Sequence, residues 1–192
     1  AEYRMLLRQD NADQRLTEVS HSLGLASDER LAVCDKKYKQ SAGLISFLKS
    51  QSILPAEINP ILSSKESALI KQSGKADKIL ARPNIYMSDL KECDSVDSYI
   101  SSNKLSEEVQ DQAEIQIKYS GYIQKEKNNA DKLNRLESVK IPKDFDYKKL
   151  KSISAEALEK LNKIKPETIS QASRISVVSP NDISVLLVYM GR

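Results

Sequence analysis

Two groups of basic residues, near opposite ends of the sequence, are the side chains best suited to bind a charged ligand. Arg4, Arg8 and Arg15 lie near the start, and each guanidinium group can donate two parallel hydrogen bonds to one phosphate. Residues 140–165 contain eight lysines and four acidic residues, a local balance of +4, whereas the whole chain carries only +3. Clustering, and not total charge, therefore predicts contacts with phosphate groups.

Each basic group has an alternative, purely structural interpretation. Phe145 and Tyr147 stand beside Lys148, Lys149 and Lys151, so the rings can stack on RNA bases while the lysines meet phosphates. The same rings can instead pin a solvated linker to the core. The arginines can pair with neighbouring acidic side chains instead of a ligand. These acidic residues are Glu2, Asp10 and Asp13. The residues alone leave both alternatives open.

Catalytic and metal-binding patterns are missing from the sequence. It contains no glycine-rich phosphate loop, no GxSxG and no HExxH, and its one histidine is His21. Cys34 and Cys93 are far apart and lack metal-ligand spacing, which favours two reduced thiols over a disulfide or half of a zinc site. The sequence predicts no catalytic residue, no cofactor site and no metal site in this chain.

Composition predicts an all-α fold. The chain has 40 % apolar residues but only five glycines, six prolines and no tryptophan, which suits helices better than a sandwich or barrel. No apolar run approaches the roughly 18 residues that cross a membrane, and no signal peptide opens the chain. We therefore expect a cytoplasmic protein with no membrane partner.

Two long antiparallel helices are expected to form most of the domain. Ser27 begins a helix that ends near Pro55, and Ser106 begins one of up to about thirty residues, directed toward Pro142. One apolar stripe on the second helix is predicted to be buried, with a bend or close contact at Gly121. The stripe contains Ile115, Tyr119, Tyr122, Ile123, Ala130, Leu133 and Leu136. Earlier in the chain, Tyr3, Leu6 and Leu7 would share one face of a helical turn.

Three domains are expected: residues 1–25 as the end of a larger preceding part or the junction with it, 26–140 as a helical domain and 141–192 as a small C-terminal subdomain. Short helices and loops are expected between residues 51 and 103. The subdomain should contain three helices over residues 154–164, 168–175 and 179–190, separated by Pro166 and Pro180. In the last helix, residues 185–190 are apolar on every face, so either the core or a partner must cover this run.

Five stretches, in order, closely resemble one protein family. They are AEYRMLLRQDNADQRLT, QIKYSGYI, IPKDFDY, KLNKIKPETISQASRIS and SPNDISVLLVYM, and they run from one end of the chain to the other. They resemble the C-terminal region of the bacterial and organellar tRNA-uridine 5-carboxymethylaminomethyl modification flavoproteins, the MnmG or GidA family.

The resemblance implies a fragment that is not catalytic alone. FAD and NADH would bind in the part of the family protein that is absent here, and the full-length protein would be a homodimer. This region would contact tRNA and dock the tRNA-modifying GTPase of the same pathway, an MnmE-like protein. A helical structural scaffold and a stand-alone helical nucleic-acid-binding module are the alternatives.

Residue by residue, the resemblance assigns two surfaces. Arg4, Arg8 and Arg15 would contact tRNA, and Tyr119, Gly121 and Tyr122 would belong to a family helix. The GTPase-facing residues would be Ser173, Arg174, Ile183, Leu186 and Leu187. The family usually has glycine where this chain has Ser170 and Val177, which implies a locally different turn.

Overall fold

The computed structural model describes residues 3–150 and 152–191, which form eleven α-helices, one short 3-10 helix and a two-stranded sheet. The helices are α1 (Ala12–Ser22), α2 (Asp28–Ser50), α3 (Pro55–Ser64), α4 (Ala76–Leu80), α5 (Met87–Leu90), α6 (Asp94–Ser102), α7 (Glu107–Lys118), α8 (Ser120–Ser138), α9 (Ala155–Ile164), α10 (Ile169–Ser173) and α11 (Pro180–Tyr189). The predicted all-α class is confirmed. The chain divides into two compact units, Ala1–Gln124 and Lys125–Arg192.

Side-chain caps start the helices where the sequence predicts. Ser27 accepts a hydrogen bond from the backbone N–H of Arg30 at 3.2 Å, and Ser106 accepts one from Val109 at 3.4 Å. Ser154 and Ser179 cap α9 and α11 in the same way. Each serine satisfies a backbone donor that the first helical turn leaves unpaired.

The core of the first unit is built around α2 and α7, which pack against each other. Buried residues of α2 recur every three or four positions, so they form one stripe along the helix. They are Cys34, Lys37, Ser41, Leu44 and Leu48. On α7, the apolar positions Val109, Ala113 and Ile117 face the core.

The long helix predicted after Ser106 is interrupted, and the predicted burial of Tyr119 and Tyr122 is wrong. Of the other stripe residues, Ile115, Ile123 and Ala130 are half-buried, and the side chains of Leu133 and Leu136 lie outside the described residues. The break lies at Tyr119, whose backbone leaves the helical conformation at φ −101° and ψ 10°. Tyr119 and Tyr122 are exposed, because α7 buries its Val109–Ala113–Ile117 face instead. Spacing alone does not show which of two apolar faces is buried. A Cβ on Gly121 would meet no atom within 4 Å, so Gly121 makes no close helix contact.

Short helices and a small sheet complete the first unit. Strand β1 (Ser52–Ile53) pairs with β2 (Gly74–Lys75) in an antiparallel ladder, which the sequence did not predict. The predicted short helices between residues 51 and 103 are α3 to α6, and they supply fully buried side chains such as Ile58, Leu80 and Leu90. Near the start, the backbone N–H groups of Leu6 and Leu7 donate to the Tyr3 carbonyl, forming a single turn before α1.

The second unit has its own core. Its 3-10 helix (Tyr147–Lys149), α9, α10 and α11 surround the fully buried side chains of Leu150, Leu161, Ile169 and Leu186. The three predicted C-terminal helices are confirmed. Two backbone hydrogen bonds connect the segment around residues 139–141 with the start of α10. The N–H of Ile141 donates to the Glu167 carbonyl, and the N–H of Ile169 donates to the Val139 carbonyl. Among the described helices, none combines the length and the apolar character that a bilayer crossing needs.

Candidate functional site

Arg8 is held by an acidic neighbour. Its Nε and Nη2 atoms donate to the two carboxylate oxygens of Asp10 at 2.9 and 3.0 Å, and Nη1 donates to the Met5 carbonyl at 2.7 Å. The hydrogen bond from Arg8 holds the pKa of Asp10 below its usual value, outweighing the opposing effect of burial. The intramolecular pairing that the sequence left open is therefore present at Arg8.

Arg15 also points into its own segment, whereas Arg4 is exposed. The Nε atom of Arg15 donates to Asn11 Oδ1 at 3.0 Å, and Nη2 reaches the Arg8 carbonyl at 3.3 Å. Arg8 and Arg15 thus brace the segment that leads into α1. Arg4 is the one of the three sequence-predicted arginines whose side chain lies in solvent.

A buried lysine joins three helices below this segment. Lys37 of α2 is only 9 % exposed, and its Nζ contacts Asp13 of α1 and, at 2.8 Å, Oε1 of Glu108 on α7. The Tyr38 hydroxyl donates to the second oxygen of Asp13 at 2.5 Å. Sequence reasoning missed this contact, although a signal was present. Lys37 occupies the same spacing as the buried residues Cys34, Ser41 and Leu44.

The pKa shifts in this cluster keep each group in one protonation state, unlike those of an acid–base pair. Burial opposes the charged form of Asp13, but hydrogen bonds from Lys37 and Tyr38 outweigh it and lower its pKa. Burial likewise opposes the charged form of Lys37, but bonds to Asp13 and Glu108 raise its pKa. Burial raises the pKa of Tyr38 to about 12. None of the three exchanges a proton near neutral pH, so the cluster is unsuited to general acid–base catalysis.

The basic segment of the second unit carries both exposed lysines and anchored rings. Tyr147 is 4 % exposed, and its ring meets that of Phe145 edge-on with centroids 5.1 Å apart. Lys149 is exposed, whereas Lys151 and the side chain of Lys148 lie outside the described residues. Within the described part of this unit, Lys143, Lys149 and Lys163 are exposed and make no ion pair. The aromatic residues therefore anchor the segment while these lysines remain available.

A cavity of about 940 Å³ lies beside this segment. Its basic lining groups are Lys140, Lys143 and Lys165, and the same wall carries the acidic residues Asp144, Asp146 and Glu167. Phe145 is half-buried and forms part of the apolar lining. Because the charges balance, the cavity is not a dedicated anion site.

The residues expected to face a GTPase divide between core and surface. Ile183 and Leu186 are 6 % and 0 % exposed and belong to the core. Leu187 and Ser173 are half-buried, and Arg174 is exposed. The exposed apolar side chains at the end of α11 are Val188 and Tyr189, which sequence reasoning did not name as docking residues.

The two positions where the family usually has glycine behave differently. Ser170 is 1 % exposed within α10. Val177 has a φ of +73°, in the left-handed region that glycine adopts freely and a β-branched residue rarely enters. The backbone at Val177 therefore has a conformation that glycine favours, and the locally different turn that the resemblance implies stays a prediction.

No group of three or more metal-ligating side chains is assembled within residues 3–150 and 152–191. Cys34 and Cys93 are both free and buried. Desolvation raises the pKa of Cys93 to about 11, with nearby Glu57 contributing, which makes this thiol a weak nucleophile.

Comparison with known proteins assigns both units. Residues 28–127 match the model of the "tRNA modifying enzyme MnmG/GidA C-terminal helical domain", and residues 129–192 match that of the "C-terminal helical bundle" of the same enzyme. A tRNA uridine 5-carboxymethylaminomethyl modification enzyme MnmG of Christiangramia forsetii is 60 % identical over all 192 residues, which span 31 % of that protein. The MnmG of Flavobacterium johnsoniae is also 60 % identical, with the same coverage.

A solved structure agrees with these matches. Aquifex aeolicus GidA superposes with a TM-score of 0.61 at 33 % identity, and the match covers 96 % of this chain and 28 % of that one. The chain thus spans about a third of the length of the relatives that it matches. It belongs to the MnmG/GidA family, as part of the helical C-terminal region.

Proposed function

We propose that this region contacts tRNA and docks a partner GTPase for a tRNA wobble-uridine modification enzyme. FAD and NADH would be bound by the remainder of a homodimeric, cytoplasmic protein. The relatives are named as tRNA uridine 5-carboxymethylaminomethyl modification enzymes, and their match extends over the whole of this chain. That continuous match is the observation on which the proposal rests.

The tRNA contact is supported by the exposed lysines of the second unit. Lys149 stands beside an anchored aromatic pair, and unpaired exposed lysines can meet phosphates without first losing a partner. Arg4 would contribute from the first unit. Arg8 and Arg15 would contribute indirectly, by holding the backbone near Arg4, because their guanidinium groups already bond within the segment.

A charge-removal experiment tests the tRNA contact. Lys148, Lys149 and Lys151 are replaced together by glutamine, and tRNA affinity is measured as a function of salt concentration. We expect weaker binding and a shallower salt dependence, equally for different tRNAs, because phosphate contacts carry no base information. The control is Lys49→Gln, at an exposed lysine of α2. Unchanged affinity, or a loss confined to one tRNA, would contradict the proposal and favour a structural scaffold.

The GTPase contact is supported by the exposed apolar end of α11. Val188 is 71 % exposed and Tyr189 is 50 % exposed, whereas Ile183 and Leu186 hold the helix to its core. A helix that is apolar all round and exposed on one side leaves that side for a partner to cover. We propose that Val188, Tyr189 and the half-buried Leu187 meet the GTPase.

Calorimetric titration with the MnmE-like GTPase tests this contact. Val188→Asp should weaken binding at least tenfold and leave the circular dichroism unchanged, because it places a charge in a contact and not in the core. Ser184→Asp, at an exposed position of the same helix, is the matched control and should bind normally. If Val188→Asp and the unsubstituted chain bound the GTPase with equal affinity, that result would contradict this part of the proposal.

A further inference from the structure

Helix α1 has its polar and apolar residues in the opposite arrangement to that of an ordinary surface helix. Its only buried residue is Thr17, whereas Leu16, Val19 and Leu23 are 55 %, 55 % and 68 % exposed. A surface helix normally turns its apolar stripe toward its own core. In α1 that stripe remains exposed instead.

Polar contacts from a neighbouring side of α1 hold the helix to the first unit. Asp13 of α1 bonds to Lys37 and to the Tyr38 hydroxyl of α2. Just before α1, the Asp10 carbonyl and carboxylate accept two hydrogen bonds from the amide of Gln112 on α7, at 2.9 and 3.0 Å. The helix is thus fixed in place without using its apolar residues.

The exposed stripe continues beyond the end of α1. Leu16 and Leu25 line one open cavity of about 480 Å³, and Leu25 is 78 % exposed. Leu16, Val19 and Leu23 follow one another at intervals of three and four residues, so they lie on one face. We call Leu16, Val19, Leu23 and Leu25 the outer face of α1. Four large exposed apolar side chains in one place indicate a surface that another body covers.

The family comparisons indicate which body that is. Both models describe C-terminal regions, and their matches cover residues 28–127 and 129–192, so α1 lies outside both. The relatives nevertheless match residues 1–192 in full, and this stretch is only 31 % of their length. In the relatives, α1 therefore connects a C-terminal region to the larger part of the polypeptide that precedes it.

We infer that the outer face of α1 is the docking surface for the preceding, N-terminal part of the same polypeptide. On this inference α1 is a shared element, attached to the helical region by ion pairs and hydrogen bonds and to the other part by apolar packing. The inference does not depend on either binding proposal above.

Thiol accessibility in the full-length protein tests this inference. Val19→Cys and the control Ser101→Cys, at an exposed position of α6, are each treated with a maleimide, and modification is followed by mass spectrometry of the peptide concerned. We expect the thiol introduced at position 19 to react at least tenfold more slowly than that at position 101, and equally fast in denaturant. Equal rates in the native protein would overturn the inference.

Other occupants would give different results. Protection that disappears on dilution would mean that a second copy covers the face, and protection that requires added tRNA or GTPase would mean that a partner does; either result overturns the inference. Hydroxyl-radical footprinting of the unsubstituted full-length protein gives the same test without a variant. Leu23 should be oxidised several-fold less than Leu54, which is 58 % exposed in the first unit.

Discussion

Replacing Lys37 by methionine should destabilise the first unit by about 1–2 kcal/mol. The substitution removes the charge-assisted bond to Asp13, and such bonds contribute roughly 1.5–3 kcal/mol. The bond to Glu108 adds little, because the Glu108 side chain is 68 % exposed and such pairs contribute about 0–1 kcal/mol. The loss is limited because Asp13 keeps hydrogen bonds from the Tyr38 hydroxyl and the Gln14 backbone. Methionine also preserves the packing of the buried stem and removes the desolvation penalty of the ammonium group.

The assay is equilibrium urea denaturation at pH 7, followed by circular dichroism, with Lys36→Met as the control at an exposed neighbour on the same helix. The pKa of Asp13 is lowered on folding, so its contribution is present above its unfolded pKa, near 3.9, and is lost as pH falls through the folded value. The pKa of Lys37 is raised, so its contribution is complete below about 10.5 and is lost as pH rises further. The difference between Lys37→Met and the unsubstituted chain should therefore be largest between about pH 4 and pH 10.5. A Lys37→Met variant as stable as Lys36→Met at pH 7 would refute the reasoning.

Three further predictions concern other parts of the chain. Val177→Gly should stabilise the second unit by about 0.5–1 kcal/mol in thermal unfolding. The left-handed backbone conformation costs a non-glycine residue about 1–2 kcal/mol, and relief of that cost exceeds the entropic cost of glycine. A loss of stability would contradict this prediction. Cys93 is 1 % exposed and its pKa is raised to about 11, so Ellman's reagent at pH 8 should modify it only after denaturation, and rapid modification of the native chain would disprove this. Asn59→Ala should lower the free energy of unfolding by about 1–3 kcal/mol in urea denaturation, because the Asn59 side chain both donates to and accepts from the backbone of Ile70. Asn59→Asp keeps only the acceptor and should lose less stability, and equal losses for the two variants would count against this account.

The sequence predicted those features that depend on neighbouring residues. The serine caps at Ser27, Ser106, Ser154 and Ser179 were found because an N-cap acts on a backbone group two or three residues away. The helices of the second unit follow for the same reason, since Pro166 and Pro180 restrict their own backbone.

Features that depend on distant partners were not predicted. Lys37 and Asp13 are 24 residues apart, and although the spacing on α2 indicates that Lys37 is buried, nothing in the local sequence identifies Asp13 as its partner. Tyr119 and Tyr122 were predicted to be buried but are exposed, because the partner that selects the buried face is another helix. For the same reason, spacing did not distinguish the buried Leu186 from the exposed Val188.

Within the part of the chain that the structure describes, the two buried clusters have no residue in common: one runs from Leu44 to Ile117 and the other from Ile141 to Leu186. Cooperative unfolding extends only as far as shared packing, so the chain should unfold in two transitions. A fit of denaturant data to a single transition would give an m-value that is too small for either unit. A substitution in one cluster should shift one transition and leave the other in place. Evolution can therefore alter the C-terminal cluster without lowering the stability of the cluster built on α2 and α7.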